Sequence, residues 1–253
     1  MEKLADTFWN IRGVHRVGGI LDIGTQMSLV QRSDGQFVVI DGCGLDASQR
    51  ASVMKLTDNG ERVSAVVNVH PFHTLHVEAT HRLFPGATLH GTARHHKLAP
   101  ALPWSREPVE EWNDDHPLAD LFDLSVPDGV HFVSADERVH VASVLVRHRQ
   151  TGIVHVDDTF NVIAAPGFLR RVFPVSSLRM HPMLGRALQA EAGAADAYAA
   201  WACALAAGWA DTRIVCAAHS AARTMPAGGF SDEVVSALEK MRSTLDRHRA
   251  RYG

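Results

Sequence analysis

The chain has 253 residues, 46% of them hydrophobic and 21% charged, with 25 basic side chains against 28 acidic for a formal charge of -3. That is the make-up of a globular protein able to bury a sizeable core, and it argues against a nucleic-acid footprint or a polybasic membrane anchor. No apolar run reaches the roughly 18 residues that span a bilayer. Met1 to Asn10 lack a signal-peptide core, so a cytoplasmic location is expected.

In chain order, Met27 to Arg32 and Gln36 to Ile40 read as two strands joined by the turn Ser33-Asp34-Gly35. Asp46 and Gln49 have the spacing of a capping box, opening a helix that should run to about Asp58 and stop at Asn59-Gly60. Val63 to Val69 is a near-continuous apolar strand, as expected of one covered on both faces. A histidine-rich turn follows, then a helix from Thr74 to Leu83 and a short strand at Ala87 to Leu89. Pro100 to Pro117 lacks periodicity and reads as a loop or lid. Strands are expected at Leu121 to Val126, Val130 to Ser134, Val139 to Val146 and Ile153 to Val156. Asn161 to Leu184 is irregular. An alanine-rich helix (Ala187 to Ala210), a strand (Arg213 to Ala217) and a last helix (Ser231 to Arg249) complete the chain. Two β-rich halves with helices outside them predict a sheet sandwich in a single domain spanning residues 1–253.

Chemistry concentrates where the buried strand ends, in Asn68-Val-His70-Pro-Phe-His73-Thr-Leu-His76. Three histidines within seven residues at the mouth of a strand can converge, and neutral imidazole is a favoured ligand for zinc, iron and related metals. The total of 16 histidines carries less weight than this placement. Cys43, Cys203 and Cys216 include no Cys-x-x-Cys pair, so no thiolate zinc site or disulfide framework is expected.

Further segments stand in a telling order. Leu83-Phe-Pro-Gly-Ala-Thr-Leu-His90-Gly leaves a helix for a strand, and His140-Val-Ala-Ser143 precedes another. Ile153-Val-His155-Val-Asp157-Asp158 ends a strand in aspartates, and Arg213-Ile-Val-Cys-Ala-Ala-His219 ends one in a histidine. Upstream, Phe37 to Asp41 is a strand closing on an aspartate. Together with His73-Thr-Leu-His76, these segments resemble the metallo-β-lactamase superfamily, whose His-x-His-x-Asp-His signature lies between a buried strand and a helix. The resemblance spans about residues 25 to 220. It implies an α/β fold, a four-layer αββα sandwich, and one or two divalent metal ions, zinc first with iron or manganese as alternatives. It places His70, His73 and His140 on a first metal with Asp157 bridging, and His76, Asp157 and His219 on a second.

Two departures stand out. Leu75 occupies the place of the family aspartate that binds the second metal, and His70 lies one residue further upstream than the signature has it. A single-metal site is therefore the expectation, with Asp157 and His76 as the catalytic candidates. The implied activity is metal-dependent hydrolysis, a metal-bound hydroxide attacking an ester, amide, thioester or phosphoester of a small molecule. The alternative is a non-catalytic domain of the same fold that binds a ligand or a protein partner. The sequence leaves the substrate and the oligomeric state open.

Other features have plainer readings. His155 shares a strand face with Asp157, either supporting it or packing in the core. His81, His90, His95, His96 and His116 are expected at the surface, as is His181. Asp41-Gly42-Cys43-Gly44-Leu-Asp-Ala47 fits Gly-x-Gly-x-x-Ala, but the next strand ends without the acid a dinucleotide ribose needs, so a tight turn is expected. Trp201, Leu205 and Trp209 repeat every four residues as a buried helix stripe. Lys240, Arg242, Arg247, Arg249 and Arg251 are expected on a solvated helix face.

Overall fold

Residues 1–13, 16–17, 21–22, 24–163, 175–218 and 221–253 are described by a computed structural model. The chain divides into two units, residues 1–123 with 148–151, and residues 124–147 with 152–253.

The first unit contains β1 (Glu2–Ala5), β2 (Phe8–Gly13), the short pair β3 (Arg16–Val17) and β4 (Leu21–Asp22), β5 (Thr25–Gln31) and β6 (Phe37–Ile40). It continues with α1 (Ala47–Leu56), β7 (Val63–Val67), α2 (Val77–Leu83), β8 (Thr88–His90) and α3 (Ala93–Leu98). Its sheet has the order β1-β2-β5-β6-β7-β8. The expected hairpin joins β5 to β6, with Gly35 at φ 83 and Asp34 Oδ1 accepting from Gln36 N at 2.8 Å. From β6 onward the strands run parallel, with α1 and α2 as crossovers. A strand inside such a sheet must be apolar on both faces, which is why Val63 to Val67 does not alternate.

Asp46 and Gln49 close the capping box of α1, exchanging hydrogen bonds of 2.8 and 3.0 Å. The helix is followed by Asp58, Asn59 and Gly60, all at positive φ, the chemistry of a firm stop. The core of this unit gathers Trp9, Ile11, Leu29, Phe37, Val39, Val66, Phe84 and Leu89.

Four features of this unit depart from expectation. β1 and β2 come from a stretch with no clear alternation, yet β2 is buried because it pairs along its whole length with β5. α2 starts at Val77 rather than Thr74, leaving all three histidines of the turn outside the helix body. α3 has a capping box in which His95 replaces the usual Glu or Gln, with Nδ1 accepting from Thr92 N at 3.1 Å. Residues 100–117, read as a loop or lid, run along β8: Leu89 O accepts from Ser105 N at 2.7 Å and Gly91 O from Val109 N at 3.1 Å.

The division passes through β9 (Phe122–Ser125) and β10 (Leu145–His148). The second unit continues with β11 (Val154–Val156), β12 (Phe160–Asn161), β13 (Arg179–Met180), α4 (Leu184–Ala187) and α5 (Ala194–Gly208). It ends with β14 (Ile214–Ala217), β15 (Ala222–Thr224), α6 (Gly229–Lys240) and α7 (Arg242–Tyr252). The sheet order is β15-β14-β11-β10-β9, with β11 and β14 parallel.

No strand forms over Val130 to Ser134, and the one expected from Val139 begins at Leu145. Side chains there capture the backbone instead: Asp136 N donates to Ser134 Oγ at 3.2 Å and Arg138 N to Asp136 Oδ1 at 3.1 Å. Such local bonds compete with a strand ladder. The expected alanine-rich helix starts at Ala194 rather than Ala187, as α5 with Gly193 at φ 81 before it, and the last helix splits into α6 and α7 at Met241. Trp201, Leu205 and Trp209 are buried in the core of this unit with Tyr198, Phe160 and Phe230, as their spacing predicts. The irregular segment from Asn161 to Leu184 lies partly outside the described residues. Among the described residues no helix is long and apolar enough to cross a membrane.

Candidate metal centre

In the first unit, the histidine turn is built by the ends of β6 and β7. Asp41, buried and at φ 55, donates its N–H to Val67 O at 2.8 Å and accepts from Val69 N at 2.9 Å through Oδ1. It thereby clamps the chain one residue before His70. Gly42 allows the next approach, because a Cβ there would meet Thr80 Oγ1 of α2 at 2.1 Å. The Gly-x-Gly segment is thus a packing device against α2. Cys43 beside it is a buried thiol pushed up to about 12 by desolvation, an inert small hydrophobe.

His70 is fully buried, while His73 and His76 are partly exposed. The rings of His70 and His73 stack with centroids 4.0 Å apart, and each offers a ring nitrogen within 4.8 Å of the other's. His70 Nδ1 accepts from Phe72 N at 3.1 Å, which orients the ring and puts the proton of its neutral form on Nε2. His70 must therefore change tautomer or turn its ring before giving Nε2 to a cation. His76 caps α2, its carbonyl accepting from Thr80 N and Oγ1 at 2.9 Å each. Leu75 is 69% exposed and has no donor atom.

α3, unforeseen in the sequence, supports this turn. Arg94 Nη1 donates to Pro71 O at 3.0 Å, and its guanidinium lies 4.3 Å from the centroid of the Phe72 ring. His95, expected at the surface, is buried. Burial pushes it down to about 3, and the nearby charges of His70, His73 and His96 add to the shift, so its ring is neutral at pH 7. The signal for His95 was its position three residues after Thr92, the N3 place of a capping box.

In the second unit, the end of β11 carries His155, Asp157 and Asp158, all buried. His155 Nε2 lies 3.8 Å from Asp157 Oδ1, as expected of residues sharing a strand face. Asp158 has φ 44, the strained conformation in which the strand ends. Buried carboxylates are costly unless they are hydrogen-bonded, paired or bound to a cation. The backbone here is tightly held: Ser143 Oγ donates to Asp157 O at 2.6 Å, and Thr159 Oγ1 donates to Val141 O at 3.1 Å and accepts from Ser143 N at 3.1 Å. Ser143 and Thr159 thus join the segment after His140 to the aspartate corner.

His140 is partly exposed, with Nδ1 3.2 Å from Glu137 O. A proton on Nδ1 in that contact leaves the Nε2 lone pair as the donor. The His140 and His181 ring centroids are 6.5 Å apart. His219 lies outside the described residues. The sequence expectation of surface positions is corrected for His90 and His116 as well as His95: all three are buried, because α3 and residues 100–117 pack along β8.

The donors present suit a borderline cation such as zinc, being imidazole nitrogens and carboxylate oxygens. Leu75 offers no donor atom at the place where the resemblance has an aspartate.

No family model and no curated protein matches the sequence. Solved structures do. A metallo-β-lactamase from Erythrobacter litoralis is 16% identical, over 94% of this chain and 95% of that one, with a TM-score of 0.60. The DIM-1 metallo-β-lactamase is 14% identical over 97% and 96%, also with a TM-score of 0.60. The FIM-1 enzyme from Pseudomonas aeruginosa, in its mono-zinc form, is 13% identical over 94% and 93%, with a TM-score of 0.56. The chain has the α/β fold of the metallo-β-lactamases.

Proposed function

From that fold and these donors, we propose that the protein is a metal-dependent hydrolase of a small ester, amide, thioester or phosphoester. By resemblance, His70, His73, His140 and Asp157 are its metal donors, with His76 and His219 completing the set. The observation that carries this reading is the turn after β7, where Asp41 and Gly42 fix the chain and His70 and His73 stack 4.0 Å apart. A divalent cation held by such donors lowers the pKa of bound water from 15.7 to about 7 and polarises a carbonyl or phosphoryl oxygen. Asp157 would orient the attacking water, and His155, 3.8 Å from its carboxylate, would keep that carboxylate in place.

Leu75 favours a second reading, a domain of this fold that binds a ligand or partner without turning it over. A screen of chromogenic esters, thioesters, amides and phosphoesters separates the two. Hydrolysis by the parent that is lost in His73→Ala and Asp157→Ala supports the enzyme. Turnover unchanged in both variants contradicts it, and so does a complete absence of turnover by zinc-loaded parent protein.

A further inference from the structure

The second unit contains a cavity of about 860 Å³ whose wall includes Ser134, Asp136, Arg186 and one face of α7. Thr244, Arg247, His248 and Arg251 all line it, at positions i, i+3, i+4 and i+7, so they share one helix face. Arg247 and Arg251 are exposed, as the sequence expectation of a solvated face has it, and that face borders the cavity. Arg249, on another face of α7, bonds Asp196 at 2.8 Å and Asp246 at 2.7 Å and is neutralised there.

Charge within the cavity is unbalanced. Its one acidic lining residue, Asp136, is already engaged by Arg138 at 2.9 Å and Arg186 at 2.8 Å. Arg247 donates to the Thr244 hydroxyl at 3.1 Å, and the Arg251 guanidinium lies 5.1 Å from the centroid of the Tyr252 ring. Among the described residues, neither has a carboxylate partner within salt-bridge distance. Two exposed guanidinium groups one helical turn apart therefore stand on the wall of a concavity of small-molecule size in a protein of formal charge -3.

Guanidinium forks match phosphate oxygens in pairs, and a helix holds two such forks at a fixed spacing. The Ser134 and Thr244 hydroxyls add neutral donors, and the Tyr252 ring, 4.7 Å from His248, adds an aromatic wall. We infer that this cavity is a ligand site apart from the metal donors, taking a small molecule with a diphosphate group on Arg247 and Arg251. The competing explanation is that Arg251 merely complements the carboxyl end of the α7 dipole and Arg247 is solvated. That would make Arg251 matter for stability and neither residue matter for binding.

Titration calorimetry of the full chain with inorganic pyrophosphate, in 0.15 M salt free of divalent cations, tests the inference. The parent should bind, and Arg247→Ala and Arg251→Ala should each weaken binding about 10-fold, as expected for losing hydrogen bonds to a charged group. Arg247→Lys should recover part of the loss, and inorganic phosphate should bind more weakly than pyrophosphate. Circular dichroism establishes that each variant is folded. His73→Ala should bind pyrophosphate like the parent, so the outcome does not depend on the hydrolase reading. The inference is overturned if the parent shows no binding, if both arginine variants keep full affinity, if phosphate binds as tightly, or if His73→Ala abolishes binding.

Discussion

Two groups of histidines in the first unit have opposite characters. His70, His73 and His76 sit on one turn after a buried strand, close in sequence, with His73 and His76 reachable from solvent. His90 and His116 come from the end of β8 and from the segment running along it, and both are buried against Trp112. Trp112 stacks on His116 with centroids 3.5 Å apart and meets His90 edge-on at 4.9 Å. His116 Nδ1 accepts from Leu118 N at 3.2 Å, and burial pushes His90 down to about 4. In this second group imidazole works as a flat aromatic packing unit. What separates the proposed ligands from the packed histidines is thus a strand mouth and a bent turn, not the presence of histidine.

The largest expected effect breaks the first group alone. His73→Ala should weaken zinc binding by more than about 100-fold, exceeding the effect typical of residues that only support ligands. His116→Phe, which keeps the stack on Trp112, should leave zinc affinity unchanged. Competition against a chromogenic chelator reads both, and equal losses in the two variants would erase the distinction.

Acid comes next. His90 and His148 are both held neutral by burial, each lowered from 6.5 to about 4. The unfolded chain therefore binds more protons than the folded one between pH 6.5 and 4, and stability falls as pH drops through that window. Fully developed below pH 4, each group destabilises by about 3 kcal/mol. His148, lying between the rings of Phe8 and Phe122, allows a clean check. Urea midpoints at pH 7 and 4.5 should differ less in His148→Leu than in the parent, and an identical drop would contradict the assignment.

A smaller effect falls on the second group. Trp112→Ala should cost about 2 kcal/mol, lower than for a fully buried tryptophan because this one is partly exposed. Thermal unfolding measures it, and metal content should not change. The smallest effect on stability belongs to Leu75→Asp, within about 0.5 kcal/mol because the side chain is 69% exposed. Its consequence should be chemical, a rise in the number of bound zinc ions, and an unchanged count would show that Leu75 is not what limits the set.

Much of this was legible in the sequence for identifiable reasons. Capping chemistry at Asp46 and Gln49, the Asp34-Gly35 turn and the apolar run of β7 are local signals, and they survive into the structure with small shifts. β2 was not legible because its burial comes from pairing with a partner strand, not from its own alternation. α3 was missed because its cap uses His95 where the usual pattern has Glu or Gln. Val130 to Ser134 looked like a strand, but Ser134 and Asp136 take the backbone bonds a ladder would need. At the candidate site, the proposed donors come from order and resemblance. The support from Asp41, Arg94 and Ser143 was not legible, since it rests on contacts between distant segments.

The central claim is that the residues after β7 and β11 serve a metal, and elemental analysis by mass spectrometry tests it most directly. The parent, purified without chelators and offered zinc, iron and manganese in turn, should retain close to one equivalent of one of them, and Asp157→Ala should lose it. A parent that stays empty with every metal, or an Asp157→Ala variant that keeps full occupancy, would contradict the account.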